Sequence, residues 1–278
     1  MLLPQFAVDE IIKTALAEDI NYIDTTTDLM IPEDSRSAAR FLAKAEGVLC
    51  GMDAALRVFT LLDPSFTSTV YKRDGDRVMP GDLLAEVEGS TRFLLKGERT
   101  ALNLLQHMSG VATATDRCVR LVEGTRAAIT DTRKTLPGLR FLQKYAVTVG
   151  GGKNHRFNLS DGAMLKDNHI DAAGGIPAAV AALRAKLGHM VKLEVETRSL
   201  AEVREALEAG ADVIMLDNMD CPTMAEAVKL AAGRALLEAS GGITDETLRA
   251  VAETGVDIIS IGALTHSVKA LDISMKIR

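Results

Sequence analysis

Four glycines in the second half of this sequence, Gly188, Gly210, Gly233 and Gly255, stand 22, 23 and 22 residues apart. Each falls where a helical apolar pattern stops. Glycine is the usual residue just past a last helical turn, because it takes the left-handed conformation without a Cβ clash. After each glycine comes a short β-rich run, at residues 191–196, 212–217, 235–240 and 257–262. Between the runs lie helical patterns, such as Leu-Ala-Glu-Val-Arg-Glu-Ala-Leu from Leu200. Two earlier runs, residues 127–131 and 162–166, bring the candidate strands to six. Strands alternating with helices at this period imply a parallel sheet. Short regular units favour a closed α/β barrel over an open doubly wound sheet.

The strand ends carry the chemistry-bearing residues. Asp131, Lys166, Glu196, Asp217, Ser240 and Gly262 each stand at or near the C-terminal end of a candidate strand, the face on which such barrels build their sites. One polar strand end marks only the start of a loop. Six that supply carboxylates, a lysine and small residues mark an enzyme or ligand site.

Composition removes several alternatives. A 47% hydrophobic and 25% charged chain is an ordinary globular one. No run approaches the roughly 18 apolar residues of a membrane span. The N-terminus lacks a basic region and turns acidic at Asp9-Glu10, unlike a signal peptide. Cys50, Cys118 and Cys221 lie too far apart for a disulfide framework or a close zinc-ligand set, and suit a reducing cytoplasm. A net charge of −6 and the absence of Trp argue against a nucleic-acid partner.

Within this acidic chain lies a basic island. From Asp131 to Lys166 there are seven cations, Arg133, Lys134, Arg140, Lys144, Lys153, Arg156 and Lys166, against two acids. His155 and glycines, among them Gly138, Gly150, Gly151 and Gly152, accompany them. Irregularly spaced cations beside flexible backbone suit small anions such as carboxylates and phosphates better than they suit one solvated helix face. Residues 1–109 read differently, as an α+β domain. Helical patterns cover residues 8–18, 53–62 and 97–109, and strand-like pieces cover 37–43, 68–72 and 83–88. The turn-rich stretch 74–82 is similar to the domains that carry biotin or lipoate, but the modified lysine's Met-Lys-Met-like turn is missing. A partly alternating run near the C-terminus, within 270–278, is read as a strand returning to this domain, which leaves 110–269 for the barrel. His107 is expected in the core or an interface, His169 as an orderer of its loop, His189 at the surface, and Met164 and Met215 in the core.

The line Asp131-Thr132-Arg133-Lys134-Thr135-Leu136-Pro137-Gly138, the stretch from Gly150 through His155-Arg156 to Asp161, and Leu165-Lys166-Asp167-Asn168-His169-Ile170 resemble the quinolinate phosphoribosyltransferases. So do Gly97-Glu98-Arg99-Thr100-Ala101-Leu102-Asn103, Val195-Glu196, Met215-Leu216-Asp217-Asn218, Ser240-Gly241-Gly242-Ile243 and Gly262 through Ser267. The resemblance runs nearly end to end. It departs at Asn21-Tyr22-Ile23-Asp24, where the family often has a glycine-bearing turn.

The resemblance implies an N-terminal α/β sandwich followed by an incomplete, six- or seven-stranded parallel α/β barrel. It implies quinolinate and phosphoribosyl pyrophosphate as substrates, Mg2+ as cofactor, and a homodimer or larger assembly with a shared active site. Arg133, His155, Arg156 and Lys166 would hold quinolinate's two carboxylates, and Arg99 would reach them from a neighbouring subunit. Lys134 would stand by the pyrophosphate or the departing carboxylate. Glu196 and Asp217 would hold the ribose hydroxyls, directly or through Mg2+. Ser240, Gly241, Gly242 and Gly262 would cradle the 5-phosphate, with His266 beside it. Three other readings stay open: the paralogue encoded with molybdate-transport genes, a nicotinate phosphoribosyltransferase, and a non-catalytic phosphosugar- or dicarboxylate-binding barrel.

Overall fold

The computed structural model describes residues 3–278. Along the chain come α1 (Gln5–Asp19), α2 (Thr25–Met30), β1 (Arg36–Ala43), β2 (Gly47–Val48), α3 (Met52–Leu62), β3 (Thr67–Val70), β4 (Arg77–Val78), β5 (Leu83–Ser90), α4 (Thr91–Leu121), β6 (Ala128–Thr130), α5 (Arg140–Val149) and β7 (Ala163–Leu165). There follow α6 (Asp167–Ala173), α7 (Ile176–Arg184), β8 (Leu193–Thr197), α8 (Leu200–Glu208), β9 (Val213–Asp217), α9 (Cys221–Ala231), β10 (Leu236–Ser240), α10 (Asp245–Glu253), β11 (Ile258–Ser260), α11 (Ala263–His266) and β12 (Ile273–Ile277). The chain divides into two compact units. The first runs to Asp116 and takes in Thr135–Gly151 and Ala263–Arg278; the second comprises Arg117–Lys134 and Gly152–Gly262. Among the described residues no helix is long and apolar enough to cross a membrane.

The first unit is built on an antiparallel sheet ordered β12-β1-β5-β3. The strand β12 pairs along β1 from Ala39 opposite Ile277 to Ala43 opposite Ile273. Burial alternates along the inner half of β1, so Ala39, Phe41 and Ala43 face the core. Phe41 meets the Phe59 ring edge-on, with centroids 6.2 Å apart, and Phe59 stacks on Phe66 at 5.3 Å. The start of α3 is capped from a distance: the Asp74 carboxylate accepts from the N–H groups of Gly51 and Met52 at 2.9 and 3.0 Å.

The helix expected over 97–109 is longer at both ends. It is α4, and it passes straight through the expected domain boundary. The reason lies in its burial pattern: Leu94, Ala101, Leu105, Met108, Ala112, Thr115 and Cys118 continue one buried stripe at helical spacing. Gly110 does not break this helix. The backbone of Lys269 and Ala270 lies so close that a Cβ at 110 would collide with it, so the glycine is a packing notch.

The second unit holds all six expected strands, four of them from the glycine rhythm, in one parallel sheet ordered β6-β11-β10-β9-β8-β7. Each strand from β8 to β11 lies beside its predecessor, and β6 joins beyond β11. A doubly wound sheet reverses direction at a switch point; this one never does, which is barrel order. Among the described residues β6 and β7 do not pair, so the closed ring expected from periodicity has a seam. The chain between them leaves this unit, since Thr135–Gly151 belongs to the first. A single bridge from Thr130 to Lys153 flanks β6 on that side.

Local chemistry sets the repeat. Gly210, Gly233 and Gly255 take φ of 83°, 78° and 92° just past α8, α9 and α10. Gly188 does not: α7 has already stopped at Arg184. Side chains of Ser199 and Asp220 cap α8 and α9, and Thr244 forms a capping box on α10. At the opposite ends of the strands, Asp212 accepts from the Leu193 N–H at 2.7 Å and Asp257 from the Leu237 N–H at 2.9 Å. These carboxylates staple neighbouring strands and leave the other face to the site.

Candidate active site

Strand register fixes which side chains share a layer of the second unit. Glu196 pairs with Met215, Asp217 with Ser240, and Ser240 with Ser260. Side chains two apart on a strand share a face. Glu194 therefore stands below Glu196, Met215 below Asp217, and Glu238 below Ser240. Sequence reasoning named the upper members and missed Glu194 and Glu238. The two-residue period applied to each strand end is the signal that finds them.

The upper layer is acidic on one side. Lys166 Nζ lies 3.8 Å from Glu196 Oε2. Burial raises the Glu196 carboxyl above its usual range, Lys166 opposes this, and Asp217 and Asp167 push it further up. Asp217 is held by its neighbour: Asn218 Nδ2 donates to Asp217 Oδ2 at 3.0 Å, and the Asn218 N–H donates to the Ser240 carbonyl at 2.9 Å. Asn218 does this at φ 53°. Its amide fills the space where a side chain on Gly241 would stand. Gly241 and Gly242 themselves have φ of 95° and 61°, the left-handed region that glycine enters without a Cβ clash. The Ser240 hydroxyl accepts from Ser260 Oγ at 3.0 Å.

The cationic side centres on Arg156. Its guanidinium donates to the Gly162 carbonyl at 3.0 Å and to the Met164 sulfur at 3.5 Å. Met164, expected in the core, is only half-buried and serves as this partner; Met215 is in the core. Burial and the nearby Arg133 guanidinium lower the Arg156 pKa, while Glu194 opposes them. The guanidinium remains a cation, so two crowded cations favour an anion between them.

Asp131 organises the loop that carries these groups. It is fully buried, and it accepts from Asn154 Nδ2 at 2.6 Å and from the His155 N–H at 2.9 Å. His155 is turned inward. Its Nδ1 accepts the Arg156 N–H at 2.9 Å, and its Nε2 lies 3.0 Å from Glu194 Oε2 and 3.5 Å from Glu238 Oε2. Both ring nitrogens thus face protein groups.

The remaining expected residues divide between the units. Lys134 is exposed at the end of its segment, with its N–H on Thr132 Oγ1 at 3.0 Å. Gly262 ends the second unit. Arg140 and Lys144 of the basic island belong to the first unit, where Lys144 is fully buried. Arg99 is exposed on α4, and His266, also exposed, contacts Ser267 Oγ at 2.6 Å. His107 lies beside Gln143 Nε2 at 2.9 Å, and burial lowers its pKa. His169 Nδ1 accepts the Lys166 N–H at 3.0 Å, which orders that loop, and His189 is exposed.

The N-terminal domain of quinolinate phosphoribosyl transferase matches residues 24–109, and the C-terminal domain matches residues 111–276. The chain belongs to the quinolinate phosphoribosyltransferase family. It is 49% identical over 260 residues to the probable nicotinate-nucleotide pyrophosphorylase [carboxylating] of Bacillus subtilis, covering 94% of this chain and 90% of that protein. It is 44% identical to a mitochondrial quinolinate phosphoribosyltransferase [decarboxylating] of Nicotiana tabacum, covering 99% and 83%. The crystal structure of NadC from Streptococcus pyogenes superposes with a TM-score of 0.97 at 45% identity, covering 100% and 99%. The strand-end carboxylates and the cationic loop of this chain lie within the matched residues 111–276.

Proposed function

We propose that this chain transfers the phosphoribosyl group of phosphoribosyl pyrophosphate to the ring nitrogen of quinolinate, with loss of carbon dioxide, giving nicotinate mononucleotide and pyrophosphate. The observation that carries this reading is the presence of two fields in the second unit. Arg156 lies near Arg133, and Glu196 and Asp217 stand at the C-terminal ends of neighbouring strands. A pyridine dicarboxylate needs the first field and a ribosyl cation needs the second.

Guanidinium forks at Arg133 and Arg156, with Lys166, hold the two carboxylates and fix the ring. As the bond from ribose C1 to pyrophosphate breaks, the sugar becomes oxocarbenium-like, and the Glu196 and Asp217 carboxylates stabilise that charge. The pyridine nitrogen closes on C1. In the resulting pyridinium, the bond to the carboxylate beside nitrogen breaks, the ring carbon retains the electron pair, and a proton then replaces carbon dioxide there. Lys134 stands by the pyrophosphate or the departing carboxylate. The turn at Ser240-Gly241-Gly242, with Gly262, cradles the 5-phosphate.

The acid pair also fits Mg2+. Glu196, raised by burial and by Asp217, sits in an excess of negative charge that a cation relieves. Glu196 and Asp217 would hold Mg2+ directly, through water or through ribose hydroxyls, and Mg2+ neutralises pyrophosphate charge when bound. The three cysteines are free thiols, which suits the reducing cytoplasm.

Supplied with phosphoribosyl pyrophosphate, Mg2+ and quinolinate, the protein is expected to form nicotinate mononucleotide, and to form little with nicotinate as acceptor. Product from nicotinate but not quinolinate would overturn the reading.

Arg99 completes the site of a neighbouring subunit in a two-fold dimer. Its exposure on α4 and its place in the Gly97 to Asn103 motif support this. Arg99→Ala and Lys134→Ala, each nearly inactive, are expected to complement when unfolded, mixed equally and refolded. Random pairing gives about half mixed dimers with one intact site of two, roughly a quarter of all sites. Activity that stays at the level of the separate variants, with mixed dimers verified by mass spectrometry, rejects the shared site.

A further inference from the structure

Beneath the strand-end layer lies a buried cluster that the reaction does not use directly. His155 Nε2 faces Glu194 Oε2 and Glu238 Oε2, and the three ligand-type atoms lie within 4.8 Å of one another. Glu238 is 1% exposed and Glu194 7%. The second oxygen of each, Oε1, is buried with no hydrogen-bond partner. Two carboxylates and an imidazole at this spacing invite a metal reading. The ring's other nitrogen decides against it. A metal-binding histidine donates its second N–H to an acceptor. Here Nδ1 instead accepts the backbone N–H of Arg156 at 2.9 Å. The ring proton is therefore on Nε2, which leaves that nitrogen a donor with no lone pair to offer.

We propose that Glu194 and Glu238 are positioning residues for the acceptor: together they hold the His155 ring as its Nε2–H tautomer, and Nδ1 of that ring anchors the backbone of Arg156. This rests on the reading that Arg156 binds quinolinate. The cluster has one N–H between two carboxyl groups. Glu194 faces Arg156, whose positive charge it feels. Glu238 lies deeper. Burial, then the Glu194 carboxylate, push its carboxyl well above the usual range; Asp131 adds to this, while His155 and the Ser260 hydroxyl oppose it. Of the two, Glu238 is the carboxyl that burial and its acidic neighbours push toward the neutral form. The cations that meet the acceptor are the arginines and lysines.

The test combines a tautomer measurement with kinetics. In protein labelled with 15N-histidine, long-range proton–nitrogen spectra of His155, assigned by loss of its signals in His155→Gln, are expected to show the Nε2–H form. This needs no change to the cluster, so it stands even if a variant fails to fold. Glu238→Leu, which keeps bulk but no hydrogen-bonding group, is expected to raise the KM for quinolinate about 10-fold, with a smaller change in kcat and a disturbed His155 spectrum. Glu238→Gln, a neutral near-isostere, is expected to restore most of both. An Nδ1–H or doubly protonated ring in the unaltered protein overturns the proposal. So does one equivalent of zinc per chain by elemental analysis. Quinolinate KM unmoved in Glu238→Leu but raised in Arg156→Ala overturns the positioning role alone. KM unmoved in both overturns the acceptor reading of Arg156 as well.

Discussion

Asp217→Asn is expected to lower turnover by on the order of 10²–10³ while changing quinolinate affinity by no more than about threefold. The side chain ends β9, beside Ser240 in register, and is held by Asn218 Nδ2 at 3.0 Å. Asparagine keeps the volume and leaves an amide oxygen for that bond. What it removes is the negative charge, which matters most when the ribosyl carbon is most cationic. The substitution also removes one of the groups that raise Glu196. The Glu196 carboxyl is therefore expected to ionise at lower pH than before, which partly restores a negative charge to the site. Turnover at saturating substrates and quinolinate binding by calorimetry separate the two effects. Collapse of quinolinate binding with intact turnover at saturation would remove Asp217 from the ribosyl side.

Arg156→Ala is expected to weaken quinolinate binding by about 2–4 kcal/mol, the size of a lost charge-assisted pair in a partly desolvated site. The guanidinium is already oriented by the Gly162 carbonyl and the Met164 sulfur, so little ordering remains to oppose binding. Arg156→Lys is expected to recover only part of the loss, because an ammonium cannot form the planar fork. Calorimetry with quinolinate alone measures this directly. An unchanged affinity takes Arg156 out of the acceptor site.

The barrel strands were legible because buried parallel strands read as short apolar runs, and three of the four rhythmic glycines do adopt the left-handed turn that ends a helix. The seam was not legible. Residues 135–151 have the apolar spacing of any helix, and nothing in Arg140 through Val149 says which unit will bury it. The role of Gly110 was equally hidden: it is set by Lys269 and Ala270, far away in sequence. At the site, the upper carboxylates stood out because they end their strands. Glu194 and Glu238 were hidden inside runs that read as core, and only the register of neighbouring strands shows that an imidazole from a loop meets them. Asn218 belonged to a recognised motif, but its grip on Asp217 depends on a backbone angle that sequence does not display.

The order of strands also bears on how the chain can be made. In the second unit β6 finds its partner only in β11, and in the first β1 lies between β5 and β12. A ribosome delivers β6 long before residues 258–260, and β1 long before residues 273–277. Each unit therefore waits on segments from the same late stretch, with an unpaired strand edge exposed meanwhile. The strands β7 through β10 can assemble in turn as they emerge, but the parallel sheet is not finished until synthesis has passed β11, and the antiparallel sheet not until it has passed β12. Completion of both units is thus tied to one late stretch of translation, and a chain stopped at residue 257 would leave β6 and one side of β1 open to wrong partners.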